Sequence, residues 1–184
     1  MWYAGVWYAY VLGKRESEIN AYLAFPLLTA VAMIQTTLLS RVSVLGGHPN
    51  LMLLVVLIWA VVRGIDEGLI WAFVGGLILD LLSGGPLASM ALALLAAAYL
   101  AGQPLGEGVG SPAVRLFIVT VLGATVYHLV LLIILDWSGH AVDWAFSLVR
   151  VAGPSVLLNG LLAPFLLPLL TWLERATGEE GLVL

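Results

Sequence analysis

Cysteine is absent from this chain of 184 residues, which excludes disulfide bonds and thiolate metal sites. Charge is scarce as well. Charged residues make up 10% of positions and hydrophobic ones 62%, whereas a soluble domain keeps roughly a quarter of its residues charged to face water. A surface this poor in charge must face lipid instead. The seven Lys and Arg form no stripe and the net charge is −4, so the electrostatic footprint of a nucleic-acid binder is missing. There is no GxSxG, HExxH or phosphate-binding loop, and no carboxylate pair on one helix face. His48, His128 and His140 are too dispersed in sequence to argue for a metal. Asp66 and Glu67 read as a solvated loop pair. The expectation is a protein without catalytic chemistry, cofactor or metal.

What is present is hydrocarbon. Mean hydropathy is +1.08. A helix needs about 20 residues to cross the bilayer core, so a chain of this length has room for roughly six. The predicted class is an all-α membrane protein of about six transmembrane helices over residues 21–175, with a short tail at 176–184. Residues 1–20 differ from the rest. Trp2, Tyr3, Trp7, Tyr8 and Tyr10 precede KRESE, and aromatic residues favour the membrane–water interface. This stretch is predicted to lie on the membrane surface. Its apolar part comes before its basic pair, the reverse of signal-peptide order.

Six apolar segments follow, at about 21–40, 51–62, 68–82, 87–102, 113–135 and 146–173. The second and third are short. They extend into their flanks, thin the bilayer, or form a hairpin that does not fully cross. Counting Lys and Arg by side puts Lys14, Arg15, Arg63, Arg115 and Arg175 with the N-terminus, and Arg41 and Arg150 opposite. The excess predicts cytoplasmic termini.

With connections this short, polar chemistry must lie in the spans or at their mouths. Ionisable and amide side chains in lipid are costly and therefore candidates for function. Asp80, near the outer end of the third segment, has three readings. It accepts backbone N–H bonds from the turn at 83–87, pairs with Arg41 or Arg150, or contacts a partner or ligand. Gln35, His128 and Asn159 fit interhelical hydrogen bonding. Gly68, Gly75 and Gly76, with Gly64 nearby, suit close approach of helix backbones in lipid, where small residues replace a hydrophobic driving force.

The middle of the sequence resembles the MreD family, the rod shape-determining membrane proteins of bacteria. The resemblance rests on the Pro49-Asn50-Leu51 entry and the turn glycines Gly64 and Gly68. It continues through Gly76, Leu77 and Asp80-Leu81-Leu82 to the turn Ser83-Gly84-Gly85-Pro86-Leu87. Gln35, and Asn159 followed by Pro164, are also similar to the family pattern. Ala88 departs from it, standing where the family often has Gly.

The resemblance implies a non-catalytic scaffold in the cell-wall elongation machinery of the bacterial cytoplasmic membrane. It would bind the transmembrane and juxtamembrane region of MreC and act with MreB, RodA and a class B penicillin-binding protein. Asn50, Asp80, Ser83 and Pro86 are then the expected partner-binding site at the outer mouth. The implied fold is similar to the substrate-binding subunits of energy-coupling-factor vitamin transporters. Such a subunit is also the alternative function, with Gln35, Asp80, His128 and Asn159 lining a ligand cavity. Against it, Ala21, Ala24, Ala30 and Ala32 lack the Ala-x-x-x-Ala spacing used for docking the transport partner.

Overall fold

The computed structural model describes residues 21–37, 39, 43, 46–105 and 111–178. The predicted surface segment at 1–20, residues 106–110 and the end of the tail at 179–184 lie outside them. Among the described residues the chain is all helical, with six helices. They are α1 (Ala21–Thr37), α2 (Leu51–Arg63), α3 (Ile65–Ser83), α4 (Ser89–Ala101), α5 (Pro112–Trp137) and α6. The last runs on through Trp144–Phe146, a π-helical stretch Ser147–Ala152, and Gly153–Gly178.

The arrangement follows from α2. It is apolar on every face, and a helix of that kind must be enclosed. Met52 through Ala60 are all buried. The other five helices surround it, with α3 touching α1 and α4, and α5 touching α4 and α6. At 13 residues α2 is only about 20 Å long, well short of a 30 Å hydrocarbon layer. Irregular backbone at 46–50 precedes it and packs on α6. A Cβ on Gly47 would stand 2.6 Å from the Pro154 carbonyl carbon. Non-helical backbone enclosed by protein needs partners there for its polar groups.

Two helices, Pro112–Trp137 and Trp144–Trp172, are long and apolar enough to cross a membrane, while Phe25–Thr37, Leu51–Arg63 and Ser89–Ala101 are shorter apolar helices. α6 stays helical through Pro164 and Pro168. The single residue Gly64, at φ 99°, links α2 to α3, a left-handed conformation that glycine adopts without penalty. Asp66 and Glu67, expected in a solvated loop, fall instead in the first turn of α3, where acidic residues complement the helix dipole. Asp66 is exposed, but Glu67 is half-buried and faces α2.

Candidate functional site

The buried start of α2 poses a problem of hydrogen bonding. The first N–H groups of any helix have no partner within it, and here they face protein rather than water. Side-chain amides solve it. The Asn50 N–H donates to Asn159 Oδ1 at 2.8 Å, and Met52 N–H donates to Gln35 Oε1 at 2.8 Å. Leu53 N–H donates to the side chain of Asn50, the N-cap, at 3.0 Å. Asn159 turns its NH₂ group to the carbonyls of Ser155 at 2.7 Å and His48 at 3.3 Å. Ser155 Oγ in turn accepts from the His48 N–H at 3.0 Å. Because backbone N–H groups can only donate, the oxygen ends of these amides are fixed by chemistry. Tyr127 of α5 lies against the Asn50 side chain, within electrostatic reach of Asp80.

Gln35, Asn50 and Asn159, distant in sequence, thus form one collar around the start of α2. The collar joins α1, α2 and α6, and its amide oxygens all accept from the chain's own backbone. Such a network offers rigidity rather than proton transfer. Ser155 and Tyr127 were not singled out in sequence. Ser155 had a signal, since it sits four residues before Asn159 on the same helix face. Tyr127 had none.

Asp80 makes a second site of the same kind. It is 2% exposed, and its carboxylate accepts from Met90 N–H at 2.9 Å and Ala91 N–H at 3.1 Å. The Ser89 hydroxyl lies 3.2 Å from Oδ1 and 2.7 Å from the Pro86 carbonyl. The donors therefore come from the first turn of α4 rather than from 83–87, and the carboxyl group satisfies N–H groups that have no partner within that helix. Arg41 lies outside the described residues. Ser83 closes the turn from within, donating from Oγ to the Asp80 carbonyl at 3.2 Å and accepting from Gly85 N–H at 3.3 Å. Pinned in this way, the turn presents Leu81, Leu82 and Leu87, exposed by 76%, 50% and 77%. Ala88 holds φ 69°, ψ 0°, a left-handed conformation that suits Gly better than an L-residue with a Cβ.

Close contacts lie beside both sites and at the α2–α3 hairpin. A Cβ on Gly76 would collide with the Ala91 backbone, one on Gly68 would meet the Ala60 Cβ at 2.5 Å, and one on Gly75 would meet Met52 Sδ at 2.7 Å. His128 is not part of the collar. Its Nδ1 donates to the Ala124 carbonyl at 2.8 Å within α5, and it lines a groove between α5 and α6. Among the described residues no three His, Asp or Glu side chains gather as a metal site would require.

A family model described as rod shape-determining protein MreD matches residues 16–176. No curated protein matches the chain, and no solved structure does.

Proposed function

The chain belongs to the MreD family of rod shape-determining membrane proteins, and from that premise we propose that it is a non-catalytic scaffold of bacterial cell-wall elongation. Membership implies involvement in rod shape determination. The finer reading is that the chain binds the transmembrane and juxtamembrane region of MreC. Through that contact it helps organise RodA, a class B penicillin-binding protein and MreB in the cytoplasmic membrane, with both termini cytoplasmic.

The observation that carries the reading is the turn between α3 and α4. Asp80 and Ser83 spend their hydrogen bonds holding it in one shape, and Leu81, Leu82 and Leu87 project from it. A rigid apolar rim at the outer end of the bundle suits a partner whose helix leaves the membrane there, because a preformed surface loses little entropy on binding. Asp80 and Pro86 then shape the surface, and the leucines touch the partner. Arg63 and Arg115, at the opposite end, support the orientation, since Lys and Arg collect on the cytoplasmic side. The same reading carries the fold likeness to the substrate-binding subunits of vitamin transporters.

The test is affinity purification of the tagged chain from native membranes. Recovery of MreC with the wild type, and its loss with Leu87→Asp and Asp80→Ala, is the expected result. Undiminished recovery with both variants would remove the turn from the interface. Recovery of a transporter's ATPases in place of MreC would replace the scaffold reading altogether.

A further inference from the structure

Independently of the scaffold reading, we infer that the paired helices α3 and α4 narrow the bilayer beside them by at least about 6 Å, while along α5 it keeps its full thickness.

The case starts from where the pair ends. At one end Asp66 is exposed and Glu67 half-buried, both in the first turn of α3, and charged side chains are costly inside hydrocarbon. At the other end Ser83, Gly84 and Gly85 are exposed, and the chain leaves the helix with Gly84 at φ 67°. Irregular backbone in contact with lipid does not occur within the hydrocarbon layer, because its N–H and C=O groups find no partners there. Both ends must therefore reach water or headgroups. From Glu67 to Ser83 the helix rises about 24 Å, against about 30 Å for an ordinary hydrocarbon layer. Tilt only shortens the vertical reach, so the deficit is a minimum.

α4 does not make up the difference. It has 13 residues, about 20 Å of helix, and it is held level with α3 at both ends. Asp80 accepts from Met90 and Ala91 N–H at one end. At the other, a Cβ on Gly102 would stand 2.7 Å from the Ile65 Cβ. Sliding either helix to gain length would break those bonds and the close contact of Gly76 with Ala91. Nor is the pair shielded, since Phe73, Leu92 and Tyr99 are exposed by 50%, 51% and 58%. The membrane then has to adapt, and a short apolar stretch is met by local thinning at modest cost.

α5 is built differently. Arg115 and Asp136 lie about 32 Å apart along its axis, the full thickness of the layer. Beyond Asp136, Trp137 is 90% exposed, an aromatic residue placed as one at the membrane–water interface would be. The two sides of the bundle thus call for membranes of different thickness.

The chain has no cysteine, so a single introduced cysteine carries a spin label without background. Ile70→Cys and Leu82→Cys mark α3, and Leu122→Cys and Ile133→Cys mark α5, all at exposed positions. Each full-length variant is placed without partners in vesicles of phosphatidylethanolamine and phosphatidylglycerol with oleoyl chains. Label depth is read from collisions with oxygen and with a water-soluble nickel chelate. Ile70 and Leu82 are about 18 Å apart along the helix, so in a thinned layer their depths below the two surfaces sum to about 6 Å. A sum of about 12 Å means an unthinned layer and overturns the proposal. On α5 the expected sum is about 14 Å, and a sum near 8 Å means a uniformly thin membrane and overturns the asymmetry. In vesicles with the shorter myristoleoyl chains the α3 sum should stay as it was. An α3 sum that follows chain length shows that the lipid, not the helix pair, sets the thickness, and also overturns the proposal.

Discussion

The two ends of α2 solve the same problem in opposite ways. At its start, inside the bundle, the donors are met by amides from far along the chain. Gln35 is 17 positions from Met52, and Asn159 is 109 positions from Asn50. At its other end the side-chain contacts link near neighbours in sequence. Trp59 stacks on Trp71 at 4.0 Å between ring centroids, and Arg63 lies 5.7 Å from the centre of the Trp59 ring. Glu67 accepts from Trp59 Nε1 at 3.2 Å and pairs with Arg63 at 3.4 Å. The difference follows from surroundings. The buried end cannot use water, so it recruits other helices and ties the bundle together. The end at the α2–α3 turn closes on itself as a hairpin.

That contrast can be broken experimentally, and the buried end should be the more costly to disturb. Asn159→Ala removes the acceptor for Asn50 N–H and the donors to His48 and Ser155. Leaving buried groups unpaired costs about 1–3 kcal/mol for each, so a loss near the top of that range is expected in reversible unfolding in detergent. A loss indistinguishable from zero would mean that water reaches the collar. Gln35→Ala breaks a single bond, and about 1–2 kcal/mol is the expected cost by the same measurement. If it equals or exceeds Asn159→Ala, then α1 rather than α6 is the main anchor of the collar.

At the start of α4, Ala88→Gly should raise stability by up to about 1 kcal/mol. It relieves an L-residue of a left-handed conformation, offset by the extra freedom that Gly gives the unfolded chain. A decrease in melting temperature would show that the strain lies elsewhere. The smallest effect belongs to the hairpin. Glu67→Ala gives up a partly exposed ion pair and one hydrogen bond, and a cost of about 0.5–1 kcal/mol is expected. A larger loss than for Gln35→Ala would reverse the ranking of the two ends of α2.

The hairpin was partly legible in the sequence, because Gly64 marks the turn itself. Even so, Glu67 reads from sequence as solvated, since nothing local reveals that Trp59 would lie beside it. The six helices were legible from their apolar runs. Asp80 was legible as a residue with a task near a turn, but its donors were placed two or more residues too early. Where α4 begins depends on the left-handed residue Ala88, which hydropathy does not register. The groove between α5 and α6 could not be read, because its lining comes from two stretches, 125–129 and 148–157, that only packing brings together.

The sequence by itself determined the class of molecule. Its shortage of charge, its apolar runs and the motif from Pro49 to Leu87 are local properties, and lipid as solvent turns them into a helical membrane protein of the MreD family. Tertiary structure alone decided which polar residues meet and which helix is central. Gln35, Asn50 and Asn159 carry the same chemistry wherever they fall along an apolar helix. Only the packing of five helices around α2 leaves its first N–H groups without water, and only then does each amide acquire a definite partner.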